Sequence, residues 1–485
     1  MAQDKPVKAS KTILPPTRED QARWEATRLR RRIMTAKGWV HDLGQHMAKH
    51  LDPARMEAWG PPSMSLNLFK SVVNQLAVLY DSSPTVSNPD LSPEGEAWLA
   101  EQNVWSQHPR LCKDVIGLRE GLVRLSWNPG HHAQGGGIAI RLVSPDYVVA
   151  KASALAPTVP LRIEEAVQRK DPHTGEEVWT WDVWDISDPT SPYYRIELDT
   201  KDREDVTSLY APDMGAYPYY DLDTGLPYLP WVMYHAEDTG SLWGWGEWSE
   251  LVYGTMDLAL LASYWIHSVK DASWAQKWGM NVRLRGMSTA GQGKAARSRI
   301  STDPASILLF ETDSGQSGGL GSFAESAKPG EIIDAIRKYV AMISMSSGIS
   351  GSDIEKSQAE SGVAIQLRRS AVRRLQKQYT PQFRKGDEDL LSKIAKITNL
   401  YSGDQAPVLP TSGYQITYPS LPMSKEELKE LFDLRKSELD LGLISKVDLM
   451  MEKNPGMTRE EALDRLQQIQ KEHAILGYSP NPTQR

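Results

Sequence analysis

Residues 248–278 constrain this chain more than any other stretch. Their periodicity predicts one long helix carrying Leu251, Val252, Met256, Leu258, Leu260, Leu261, Tyr264, Trp265, Ile266 and Val269, apolar nearly all the way round. A helix without a wet face must be covered on most sides. Either it runs through the core of one subunit, or identical helices of neighbouring subunits pack against it. The apolar run 256–266 is too short to span a bilayer, so a membrane is not the expected cover. A chain of 485 residues has room for two to four structural units around such a helix.

Charge and cysteine usage narrow the classes. The formal net charge is −7, which argues against a protein that simply coats a duplex. It suits a protein past which nucleic acid must slide, and equally any acidic soluble protein. A single cysteine, Cys112, permits no disulfide within one chain and no cysteine metal site. The first residues, MAQDKPVKASKTILPP, hold no apolar signal region. The expectation is a soluble protein of a reducing, cytoplasmic compartment. Sixteen Trp against five Phe is unusual; Trp suits large interfaces, having an apolar body and a polar N–H. Drift in aromatic usage explains it as well.

Along the chain, residues 19–47 read as a helix whose cluster Arg28, Arg30, Arg31 and Arg32 is expected to be a solvated face. Residues 63–81 read as an amphipathic helix capped by Ser65 and stopped at Ser83-Pro84. Residues 98–127 read as mostly helical, with Val115, Leu118, Leu122 and Leu125 as the buried stripe. The period then changes from helical to alternating. IAIRLVSPDYVVA predicts a strand pair, and EEVWTWDVWDI with its neighbours a β-meander in which Trp179 and Trp181 share a face. YLPWVMY predicts a closing strand.

After the apolar helix, residues 281–326 break character: Gly/Ser-rich stretches flank a strand, ASILLFE, as in a small protruding module. Pro329 then opens a second helix through Ile332, Ile333, Ile336, Val340 and Ile343. A Gly/Ser-spaced loop leads into a long helix from Ser361, with a packing stripe at Val363, Leu367, Ala371, Leu375 and Tyr379. Pro381 is expected to kink or interrupt it. Between Ser361 and Lys385 stand seven basic residues and no acidic one. Two C-terminal helices are expected to carry capping boxes, Ser424 with Glu427 and Thr458 with Glu461.

Catalytic signatures are sparse. The nearest approach to a nucleotide-binding loop, Gly293-Lys294-Ala295, lacks the hydroxyl that would ligate magnesium and the glycine that should precede it. His131 and His132 have no third ligand at useful spacing. The sequence has neither HExxH nor GxSxG. Glu176, Glu177, Asp182, Asp185 and Asp188 could gather a divalent ion for nuclease chemistry; alternating acids on a wet strand face explain them more simply. Arg369, Arg373 and Lys377, four apart, share one helix face. They suit contact with phosphate, or with carboxylates of a neighbouring subunit.

Three strings resemble segments of bacteriophage portal proteins: NLFKSVVNQLAVLYDSSPTV; SGISGSDIE followed by ESGVAIQLRR; and LGLISKVDLMMEKNPGMTREEALDRLQQIQKE. Their order along residues 60–475 matches as well. The resemblance implies an α+β subunit: an N-terminal arm (1–30), a wing of helices plus β-meander (31–240), and a first stem helix (241–279). A clip (280–327), a second stem helix (328–345), a tunnel loop (346–360), a long kinked wing helix (361–401), and a crown and tail (402–485) would follow. It implies a homo-oligomeric ring at one capsid vertex of the virion, assembled in the host cytoplasm. Double-stranded DNA would pass through it. Terminase large subunit, major capsid and scaffold proteins, and a head–tail adaptor would be partners. No cofactor, metal or catalysis is implied. Ser352, Asp353, Lys356 and Gln358 would then face DNA in the tunnel loop, and Lys294, Arg297 and Arg299 would make clip contacts. The Trp-rich meander and the absence of a clear adaptor-binding signature depart from the family. Another virion connector or tail protein, and a metal-dependent nuclease, are the competing readings.

Overall fold

The computed structural model describes residues 13, 15–53, 56–57, 60–128, 136–212, 217–246, 248–273, 276–280, 282–284, 310–312, 319–323, 329–346, 348, 362–403, 406–419, 425–454 and 457–475. Helix and sheet are mixed in an α+β fold. The chain divides into two compact units, Met1–Ser357 with Arg368–Pro419 and Gln358–Leu367 with Ser420–Arg485.

The first unit opens with α1 (Arg18–Thr35), capped by the Thr17 hydroxyl, which accepts from the Asp20 N–H at 3.0 Å. Ala36 and Gly38 both hold left-handed backbone and end it, so the helix expected over 19–47 is two helices. The second is α2 (Trp39–Met47). The arginines of α1 are not a solvated face. Arg28 and Arg31 converge on Asp146 at 3.2 and 2.6 Å, Arg32 forks onto Asp42 at 2.6 and 2.8 Å, and Arg30 is buried. The carboxylates that claim them lie distant in sequence or on the next helix, which one-dimensional periodicity cannot register.

Helix α3 (Leu68–Leu76) is shorter than its apolar pattern. Asn67, rather than Ser65, is the cap: its side chain accepts from Lys70 N–H at 2.9 Å and donates to the Ile33 carbonyl at 2.8 Å. After β1 (Thr85–Ser87) and α4 (Pro93–Glu101), α5 (His108–Leu118) ends on Arg119 in the left-handed region. The chain then becomes β2 (Glu120–Asn128). Leu122 and Leu125 are buried as expected, but from a strand. A short apolar stripe fits either period, and the Arg119 corner decides the change. Gly121 permits this tight reversal, since a Cβ there would lie 2.6 Å from Val115 Cγ2.

Two antiparallel sheets follow. One has the order β3-β2-β8, with β3 Gly137–Val143 and β8 Trp231–His235. The other is the meander β4-β5-β6-β7, with β4 Val148–Ala152, β5 Pro160–Lys170, β6 Glu177–Asp185 and β7 Tyr193–Leu198. The strands of IAIRLVSPDYVVA therefore belong to different sheets, and a 3-10 turn at Pro145–Tyr147 carries the chain between them. A short helix, α6 (Thr207–Tyr210), follows β7.

Of the meander's tryptophans, Trp181 and Trp184 are buried and Trp179 is half-buried. On one face Trp181 stacks on Trp24 (6.1 Å between centroids) and Trp179 on Tyr147 (6.0 Å). From the other face Trp184 meets Trp231 edge-on at 5.3 Å. Each buried ring of this size removes roughly 200 Å² from water, about 5 kcal/mol at about 25 cal/mol per Å².

Helix α7 (Ser249–Ser273) stops before Trp278, which lies in β9 (Gln276–Met280). Leu251, Val252, Met256, Leu258, Ala259, Leu260 and Ala262 are buried within the chain itself, while Tyr253 and Ile266 are 56% and 40% exposed. Over this stretch the core of one subunit supplies most of the cover. Its polar residues are used inside that core. Thr255 Oγ1 accepts the Phe69 N–H at 3.0 Å, one of the orphan donors at the start of α3. Beyond α7, β9 pairs with β12 (Gly319–Phe323), and β10 (Val282–Leu284) with β11 (Phe310–Thr312).

Helix α8 (Pro329–Ser346) precedes α9 (Gly362–Tyr401), which continues through Pro381 without interruption. β13 (Gln415–Thr417) closes the unit against β1.

The second unit holds α10 (Lys425–Asp440), α11 (Lys446–Lys453) and α12 (Arg459–Ile475). Thr458 and Glu461 form the expected capping box: Glu461 accepts the Thr458 N–H at 2.8 Å and Thr458 accepts the Glu461 N–H at 3.3 Å. A further box joins Ser445 and Asp448. Ser424 lies outside the described residues. Among the described residues no helix is long and apolar enough to cross a membrane.

Candidate functional site

The residues singled out in the sequence fall largely where the structure gives no description. Ser352, Asp353, Lys356 and Gln358 lie outside the described residues, as do Lys294, Arg297, Arg299, His131 and His132. Arg369, Arg373 and Lys377 all lie on α9; of their side chains only that of Lys377 is described, and it is exposed. The structure instead describes the elements that flank and hold these segments.

Helices α7 and α8 run antiparallel and in close contact. A Cβ on Gly254 would lie 2.5 Å from Ile343 Cδ1, so only glycine admits the approach. One turn along, Asp257 receives the Tyr339 hydroxyl at 3.0 Å and faces His46 Nε2 at 2.7 Å. The strand pairs β9–β12 and β10–β11 stand between the two helices in sequence. At the far end of α8, Gly348 (φ 73°) rests on α9, where a Cβ would lie 3.4 Å from Leu375 Cδ2.

The C-terminal half of α9 is fixed by one carboxylate. Asp387 is fully buried and accepts hydroxyls from Tyr80 (2.7 Å), Tyr418 (2.6 Å) and Tyr234 (2.9 Å). His108 Nε2 stands 3.6 Å away. Burial, reinforced by the Asp387 charge, pushes the Tyr80 and Tyr234 hydroxyls well above their ordinary range. They stay neutral donors and cannot serve as bases. The knot ties α9 to α5, β8, the turn after α3 and the strand-end at Tyr418. Arg369 lies about 27 Å up the helix from it, at about 1.5 Å per residue.

A second ionic centre holds the residues that lead into α7. Glu120 is fully buried and its Oε2 accepts the Gly244 N–H at 2.9 Å. Arg30 donates to the Trp245 carbonyl at 2.9 Å, and the Arg23 guanidinium sits 3.7 Å from the Trp243 ring centroid. Arg119 lies 4.4 Å from the Trp248 ring and 3.0 Å from Glu237. Burial pushes the Glu120 carboxyl up to about 7, against the pull of Arg23.

Of the meander acids, Glu176, Glu177 and Asp188 are exposed as expected, whereas Asp182 and Asp185 are drawn inward. Asp182 is fully buried between Arg169 (2.7 Å) and Arg124 (3.3 Å), and Arg162 holds Asp185 at 3.0 Å. Next to Asp182 across the strands, Glu165 pairs with Arg124 and Arg141. Arginines thus occupy the buried carboxylates of the meander. Among the described residues no three metal-ligating side chains come together. Cys112 is buried, which pushes its thiol up to about 12 and leaves it a core residue.

Sequence reading missed Asp387, Glu120 and their partners. For Asp387 a signal existed: Phe383, Asp387, Leu390 and Ile394 share one helical face, and a carboxylate on an apolar stripe demands buried donors. For Glu120 the signal is only its place after a helix-ending arginine.

No protein-family model matches the chain, and no curated protein matches it.

Proposed function

We propose that this chain is a bacteriophage portal subunit: copies close into a ring at one capsid vertex, through which double-stranded DNA is packaged and later ejected. The observation that carries the reading is the order of parts. An antiparallel helix pair, α7 and α8, brackets a strand-bearing module, and a 40-residue helix with a basic N-terminal half follows. In this reading α7 and α8 are the stem, residues 280–327 the clip, residues 346–360 the tunnel loop, α9 the long wing helix and residues 402–485 the crown and tail. The N-terminal helices and both sheets form the wing.

The function is geometric. Weak, symmetric contacts around a closed ring let a polyanion move, while the rim binds other proteins. Lys356 and its neighbours Ser352, Asp353 and Gln358 would touch DNA, and Arg369, Arg373 and Lys377 would meet DNA or the adjoining subunit. Lys294, Arg297 and Arg299 would meet terminase or a tail adaptor, and the wing would meet shell and scaffold. The chain itself carries out no covalent step in this reading.

Imaging and light scattering of the purified protein test it. Closed rings are expected, of about twelve subunits if the resemblance to portal proteins extends to their number; 54.2 kDa particles at every salt and protein concentration would overturn the reading. Rings that never bind terminase would favour a different virion connector. Lys356→Ala is expected to leave assembly intact and to lower packaging or DNA retention; unchanged phage yield and DNA content would remove its role.

A further inference from the structure

Charged groups from elsewhere in the chain converge on the residues leading into α7, two of which, Trp243 and Trp248, also pack against the core. Glu120 grips the Gly244 amide, Arg30 the Trp245 carbonyl, Arg23 the Trp243 ring, and Arg119 the Trp248 ring. Two further observations mark the place. Trp248 adopts φ 59°, a left-handed conformation that is costly for a bulky side chain. Among the described residues no group donates a hydrogen bond to the fully buried Glu120 Oε1.

We propose that Glu120 is a proton-operated latch on Trp243, Gly244, Trp245 and Trp248, closed while its carboxyl is protonated and loosened when it ionises. In the closed arrangement the neutral carboxyl needs no counter-charge, so the three guanidiniums remain on the segment. Ionisation places an unsolvated charge on an oxygen with no partner. That oxygen then draws Arg23, Arg30 or Arg119 away from the segment, or draws water in. In each case a tryptophan or the Trp245 carbonyl loses its hold, and the strained Trp248 backbone is freed to relax. Burial places this proton loss near neutrality.

Among the described residues, the charged and titratable groups around Glu120 come from α1, from the corner that opens its own strand and from β8. Arg23 and Arg30 come from α1, with Asp20 and Asp146 behind Arg23. Arg119 adjoins it in sequence, with Glu237 and Tyr379 of α9 beside that guanidinium. His235 is its cross-strand neighbour on β8 and is itself flanked by Asp238 and by Lys385 of α9. Burial holds His235 below its ordinary 6.5, and a His235→Gln variant distinguishes its titration from that of Glu120.

Hydrogen exchange of the full-length protein tests the latch, with rates corrected for intrinsic exchange, between about pH 6 and about pH 8. In the wild type, protection across 243–252 is expected to fall as pH rises through about 7. Glu120→Gln should stay protected throughout, and His235→Gln should keep the fall. A flat wild-type profile, a fall that persists in Glu120→Gln, or one abolished by His235→Gln overturns the proposal. Should Glu120→Gln fail to fold, the wild type still decides. A buried protonated-carboxyl infrared band must vanish together with the protection, and its absence overturns the latch.

Discussion

Arg119 and Trp248 stack with the guanidinium carbon 4.4 Å from the ring centroid, and both hold left-handed backbone, φ 75° and 59°. Each conformation costs roughly 1–2 kcal/mol, so their contact must offset strain at both corners. Arg119→Lys keeps the charge but loses the planar face. It is expected to destabilise by about 1 kcal/mol, and Arg119→Ala by about 2–3 kcal/mol. Urea unfolding followed by tryptophan fluorescence measures both. Equal midpoints for Arg119→Ala and wild type would show that the stack contributes nothing.

The Glu120 carboxyl also sets a pH dependence of stability. Its value in the fold, about 7, lies above the ordinary 4.5 of an unfolded chain. The fold therefore binds more protons than the unfolded chain between these values. The stabilisation is complete below 4.5 and is lost as pH rises through 7. A difference of that size is worth roughly 3 kcal/mol at about 1.4 kcal/mol per pH unit. Glu120→Gln should unfold at a higher temperature than wild type at pH 8, and the gap should close toward pH 5. Thermal scans at both values check the sign.

Asp387 satisfies three tyrosine hydroxyls inside the core. Asp387→Ala strands all three beside a cavity and is expected to cost about 3–5 kcal/mol. Tyr418→Phe, which removes a single donor, should cost about 1 kcal/mol. Denaturant midpoints and near-ultraviolet circular dichroism of the surrounding aromatics, Trp105 and Phe383 among them, would register the difference.

Gly254 faces Ile343 with no room for a methyl group. Gly254→Ala should therefore destabilise by about 1–3 kcal/mol through overpacking. Ile343→Ala in the same chain should recover part of that loss, because the second change vacates the space the first one needs. A double-mutant cycle in urea reads the coupling; strictly additive effects would show that the two helices do not meet there.

Much of the element order was legible in the sequence, because long periodic runs dominate it. The apolar helix, the meander and the second helix from Pro329 follow directly from period and punctuation. What failed were decisions made by single distant residues. Asp146 and Asp42 turn the α1 arginines from a wet face into clamps. Asn67 displaces Ser65 as a cap, because its amide also reaches the Ile33 carbonyl. Arg119 converts the second half of a helical stripe into a strand. The candidate site was less legible still, since buried polar knots such as that around Asp387 draw partners from residues 80, 108, 234 and 418, separations that no local pattern encodes.

The strand pairs between α7 and α8 carry a consequence for how this gene product can vary. Because β10 is zipped to β11 with Leu284 opposite Phe310, the stretch between those two residues starts and ends at one closed point. Doubling the length of such a stretch adds only about 0.6 kcal/mol of closure entropy. A lineage, or an engineer grafting an epitope, that exchanges what lies between Leu284 and Phe310 is therefore expected to leave the packing of α7 against α8 unchanged.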